Sequence, residues 1–150
     1  MSALSDFEDL LQLFHNHRVR YLIIGGLAFI YHAKPRYTKD MDLWVDAAPD
    51  NIALANKALL EFGSPGFLSL TRDDEVLQLG VAPNRIDFFL RVVGMSFENA
   101  WNNRIASHYG SAPANWIGID DLLAIKSGID KPRHQEDARV LREVIKRNSL

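Results

Sequence analysis

The sequence predicts a single mixed α/β domain, and three observations predict it. Segments with helical apolar spacing alternate with short apolar or period-two runs, in the order αβαβαββαβαα, which describes helices around a small sheet. The 150 residues match one ordinary domain, and a hydrophobic content of 47% supplies one core without covalent staples. No internal repeat, low-complexity tract or linker divides the chain, so residues 1–150 read as one unit.

A first helix is expected from about Ser5 to His17. Ser5 and Glu8 make a capping-box pair, and Phe7, Leu10, Leu11 and Phe14 fall on one face. Tyr21-Leu22-Ile23-Ile24 is a buried-strand run that stops at Gly25-Gly26, and Leu27 to His32 reads as a short helix. Asp40-Met41-Asp42-Leu43-Trp44-Val45 alternates acidic with apolar residues, the period of a strand. Pro49 and Asp50 open a helix to about Phe62, which the Gly63–Gly66 segment ends. Val76 to Val81 and Arg85 to Leu90 form a hairpin through Ala82-Pro83-Asn84. Ser96 caps a helix through about Arg104, and Asn115 to Ile117 is a last short strand. Asp120 to Ser127 and His134 to Arg147 close the chain as helices.

Composition excludes several classes. The net charge of -2 rules out a strongly basic, nucleic-acid-coating domain, and the absence of cysteine removes disulfides, zinc thiolates and thiol catalysis. The start of the chain lacks a signal-peptide pattern, and no apolar stretch approaches the roughly 20 residues of a membrane span. A cytoplasmic protein with no membrane association is the expectation.

Asp40 and Asp42 lie two apart on one strand, so both side chains leave the same face. Carboxylates that close repel unless a cation sits between them, and magnesium prefers such oxygen ligands. Asp87 is the one acid in the apolar run Arg85-Ile86-Asp87-Phe88-Phe89-Leu90, where burial is costly without a ligand or partner. If that strand lies beside the first, three carboxylates converge as in metal-dependent phosphoryl transfer. Taken alone, a D-x-D pair is more often a solvated strand end or a helix cap. Gly25-Gly26 adds weight, since a glycine turn before a helix lets backbone N–H groups approach an anion.

Ile24-Gly25-Gly26, thirteen intervening residues, then Asp40-Met41-Asp42-Leu43 resembles the signature of the DNA polymerase β-like nucleotidyltransferase superfamily. The finer pattern, Gly25-Gly26-Leu27-Ala28, His32 and Arg36-Tyr37-Thr38-Lys39-Asp40-Met41-Asp42-Leu43, is similar to bacterial minimal nucleotidyltransferases related to the AbiEii toxin group. Asp121-Leu122-Leu123-Ala124-Ile125-Lys126, followed by Arg133 and Asp137, resembles their helical tail. The resemblance implies the nucleotidyltransferase fold, with Gly25 and Gly26 cradling nucleotide phosphates. It implies Mg2+ on Asp40 and Asp42, with Asp87 as the third carboxylate that activates an acceptor hydroxyl.

Lys126 borders the apolar face of its helix and reads either as a triphosphate contact or as a snorkelling surface lysine. Arg36, Thr38 and Lys39 read equally as phosphate contacts or as a solvated loop. Asp137 reads as a partner of Arg133 or Lys126, or as an acid favouring its helix start. His32 reads as a structural helix-end residue, and Trp44 shares the face of Asp42. Three functions follow. The first is an enzyme transferring an NMP from an NTP to RNA such as tRNA, to protein or to a small molecule. The second is a regulatory module acting through a protein partner, as in a toxin–antitoxin pair. The third is transfer to an antibiotic.

Overall fold

Residues 3–38, 40–70, 76–80 and 85–149 are described by the computed structural model, with only the helical backbone for 3–5. Among the described residues, six strands form one mixed sheet and six helices pack around it. In chain order the elements are α1 (Ala3–Asn16), β1 (Tyr21–Ile24), α2 (Gly25–His32), β2 (Asp40–Val45), α3 (Pro49–Phe62), β3 (Leu77–Leu79), β4 (Arg85–Phe89), α4 (Phe97–Asn102), β5 (Ile105–Tyr109), β6 (Ala112–Trp116), α5 (Ile119–Ser127) and α6 (Pro132–Asn148). The sheet order is β3-β4-β2-β1-β6-β5. β1 runs antiparallel to β2 and parallel to β6, while β2 and β4 are parallel.

This topology decides where the acids go. Because β2 and β4 are parallel and in register, Asp40, Asp42 and Trp44 stand opposite Arg85, Asp87 and Phe89 on one face. The other face carries Met41, Leu43, Ile86 and Phe88, all buried, and the Phe88 ring packs at 6.1 Å from Phe14 of α1. α1 also packs against α3 and β6, whereas α2 contacts β1, β2, α5 and α6. The apolar stripe Phe7, Leu10, Leu11 and Phe14 is buried, as its spacing requires.

Two expectations need correction. α1 begins at Ala3, so Ser5 lies inside the helix and not at its cap. The Glu8 carboxylate instead accepts the Ser111 N–H at 2.7 Å and the Ser111 hydroxyl. The sheet has a sixth strand, β5, which pairs antiparallel with β6 over Ile105–Tyr109 and makes Ala112–Trp116 the second arm of a hairpin. The β3–β4 pairing is antiparallel, in keeping with the expected hairpin, but Ala82-Pro83-Asn84 lies outside the described residues, as do Val81 and Lys39. Among the described residues, no helix is long and apolar enough to cross a membrane.

Two helices end alike. At α3, Gly63 adopts φ 87°, donating to Leu60 O at 3.1 Å while Ser64 N–H reaches Leu59 O at 2.9 Å. At α1, Arg18 adopts φ 58°, donating to His15 O at 3.1 Å while Val19 N–H reaches Phe14 O at 2.9 Å. Both are left-handed terminations that satisfy the last carbonyls, and glycine is the usual residue there.

Candidate active site

β1 ends at Ile24, and the chain turns into α2 at Gly25 with φ 69°. A side chain there would be strained and its Cβ would collide with Asp42 Oδ2, so glycine is required by both backbone and space. At Gly26, a Cβ would lie 2.8 Å from Thr38 Oγ1, so the hydroxyl of Thr38 closes over the same turn. No side chain caps α2 at Ile24, which leaves its first N–H groups to meet an anion.

Below the turn stand the acids. Ile24 pairs with Asp42 across β1–β2, and Asp42 pairs with Asp87 across β2–β4. Burial, then the charges of Asp87 and Asp40, push the Asp42 carboxyl up to about 6, against the pull of Arg85 and Lys126. Asp87 is 6% exposed, and its carboxyl is also raised, first by burial. Arg85, two residues before Asp87 on the same face, donates Nη2 to Asp40 Oδ2 at 2.8 Å and to Asp87 Oδ2 at 3.2 Å.

Asp40 Oδ1 and Asp87 Oδ1 remain buried without a hydrogen bond; Arg85 Nε approaches the latter to 3.1 Å without bonding geometry. Surplus carboxylate charge and unused oxygens are a donor set that fits a hard divalent cation. Among the described residues, no group of three His, Cys, Asp or Glu is already assembled to hold a metal. Arg85 supplies the positive charge between Asp40 and Asp87 instead.

On the other side of Gly25 a polar cleft of about 400 Å³ is lined by Gly25, Gly26, Thr38, Asp42, Lys126 and Arg133, with Arg36, Asp40 and His134 also on its wall. Lys126 is 5% exposed, so it is no snorkelling lysine; its Nζ lies 3.0 Å from Asp137 Oδ2. Arg36 donates to the same oxygen at 2.7 Å and lies 3.9 Å over the Phe29 ring. Burial would raise the Asp137 carboxyl, but the hydrogen bonds and charges of Arg36 and Lys126 hold it below the usual range. Asp137 therefore fixes both cations, while Arg133 lines the cleft beside them. The Lys126 ammonium also sits 3.3 Å from His134 Nδ1, and burial together with that charge lowers the His134 pKa.

A second cavity of about 370 Å³, walled by Ile24, Phe89, Val92, Leu122, Ile125 and Ile129, meets the cleft at Asp42 and Lys126. Asp87 is not among the residues lining either cavity and stands behind Asp42. His32 is structural, bonding through Nε2 to Ile117 O at 2.7 Å. Trp44, though on the face of Asp42, is 1% exposed and packs edge-on against Phe97. Sequence reasoning missed Arg85 and His134 as members of the site. The period-two rule that joined Asp40 to Asp42 also joins Arg85 to Asp87, so Arg85 had a readable signal. His134 had none.

No model of a known protein family matches the chain, and no curated protein matches it. What the geometry itself provides is a part-buried carboxylate cluster, a glycine turn with free N–H groups, and two cations fixed by one buried acid.

Proposed function

We propose that the chain is a nucleotidyltransferase of the polymerase β-like kind, moving a nucleoside monophosphate from an NTP to a hydroxyl acceptor. The observation that carries this reading is the in-register pairing of Asp42 with Asp87 beneath the Gly25 turn. Asp40, Asp42 and Asp87 would hold magnesium, which when bound would neutralise phosphate charge in the transition state.

The residues of the chain do the rest by position and charge. The N–H groups of Gly25 and Gly26 bind phosphate oxygens, and Lys126 and Arg36 balance the triphosphate within the polar cleft. Asp137 holds both cations in place, so they need no reorganisation when the nucleotide arrives. The acceptor oxygen attacks the α-phosphorus, its proton passes to the Asp87 carboxylate, and the bond to the β-phosphate breaks to release pyrophosphate. Use of cellular NTPs agrees with a cytoplasmic location.

Labelled-NTP transfer to a panel of RNA, protein and small-molecule acceptors tests the reading. Asp42→Asn should lose about 10³-fold or more of turnover, the scale of removing a group that stabilises transition-state charge. Undiminished transfer would show the mechanism to be wrong. A second reading, a regulatory module acting through a protein partner as in a toxin–antitoxin pair, draws support from Arg85, which already pairs with one oxygen each of Asp40 and Asp87. Tight complex formation with such a partner, unchanged in Asp42→Asn and without transfer in either protein, would favour it.

A further inference from the structure

A separate pocket of about 320 Å³ opens at the other end of β1, lined among others by His15, Arg18, Arg20, Trp101, Arg104 and Asn115. No acid lines it. Arg20 is balanced from outside the pocket by Asp46 and by Glu98 at 3.5 Å. Arg18 and Arg104 form no ion pair among the described residues. Arg104 donates Nη1 to Trp101 O at 3.0 Å, and its guanidinium lies 3.8 Å over the Trp101 ring. That stack orients Arg104 while leaving most of its N–H groups unused.

The backbone at Arg18 is the second observation. α3 and α1 terminate by the same hydrogen bonds, yet α3 has Gly63 at the left-handed position and α1 has Arg18. A side chain at that position is strained, and strain of this kind gathers at functional sites. A cation near a helix end is favourable in itself. His15 and His17 already stand at that end without left-handed backbone, so the helix end does not call for an arginine at position 18. In a chain of net charge -2, two arginines without an ion pair among the described residues line one concave surface.

We propose that this pocket binds a phosphate group, free or carried on a single-stranded nucleic acid, with Arg18 and Arg104 as its charge partners. Guanidinium pairs phosphate oxygens through two parallel N–H donors, which suits it to this ligand. The site is independent of the carboxylates and of the reaction proposed for them.

Calorimetry without magnesium and at low salt, using inorganic phosphate and a 12-nucleotide single-stranded RNA as probes, tests it. Arg18→Gly and Arg104→Ala should each weaken binding about tenfold or more, while Lys126→Met leaves it unchanged. Arg18→Gly should keep Tm level or raise it by about 2–4 °C, because glycine relieves the left-handed strain. Binding of both probes supports a site for the phosphate group itself, and binding of the RNA alone supports a strand-borne phosphate. The proposal is overturned if neither probe binds, if Arg18→Gly binds as wild type does, or if the loss appears in Lys126→Met instead.

Discussion

The two ends of β1 are only about 10 Å apart along the strand, yet one meets a cluster of aspartates with bound cations and the other a cluster of arginines. At Ile24 the chain meets three aspartates, and three of the cations nearby are bound to acids, Arg85 to Asp40 and Asp87, Lys126 and Arg36 to Asp137, while Arg133 lines the same cleft. At Tyr21 it meets arginines, two of which have no acid partner among the described residues. Both ends contain left-handed backbone, at Gly25 and at Arg18. Glycine takes that conformation without strain, and its missing Cβ is what admits Asp42. Arginine takes it at a cost, with no steric need evident. The carboxylate end is thus built by burial and internal compensation, and the arginine end by exposure and an unspent charge.

That contrast predicts unequal responses to substitution. Asp137→Ala should produce the largest loss of stability, about 3–5 kcal/mol, because it leaves buried Lys126 and half-buried Arg36 without their shared counter-charge. Urea unfolding measures it, and a loss below about 1 kcal/mol would deny that the cleft is internally compensated. Gly25→Ala should cost about 2–3 kcal/mol from left-handed strain and the collision with Asp42, with transfer activity falling alongside. Wild-type activity in that variant would contradict the steric account of the turn.

A third variant separates charge from packing. The Asp42 carboxyl titrates near 6 in the fold against an ordinary 3.8, so the fold favours its protonated form. Its contribution is fully present below the lower value and is lost as pH rises through the higher one. Without divalent cations, Asp42→Asn should therefore exceed the wild type in stability by about 1–3 kcal/mol at pH 8. The gap should close as pH falls from 7 to 4, and a gap independent of pH would contradict the electrostatic origin. Arg104→Ala, at the other end, should change stability by less than about 1 kcal/mol, since an exposed cation–π contact is worth no more.

Legibility in the sequence follows the same division. α3 and β1 were readable because capping chemistry or a continuous apolar run coincides with burial, as with Pro49 at a helix start and Leu22 and Ile23 in the core. β5 was not, because Ile105-Ala106-Ser107-His108-Tyr109 is an edge strand that buries no residue fully and so carries almost no apolar period. The facing of Asp42 and Asp87 depends on a strand pairing across 45 residues, which local spacing cannot encode. Lys126 was ambiguous for a related reason. Its burial is set by Asp137 on a different helix, and no property of its own helix reveals that partner.

The proposed reading puts Asp42 in a magnesium-dependent nucleotide site. Calorimetry with each NTP, with and without magnesium, on wild type and Asp42→Asn addresses it most directly. The account predicts magnesium-dependent binding of at least one NTP by the wild type and its loss in the variant. Equal binding by both proteins, or binding indifferent to magnesium, would contradict it.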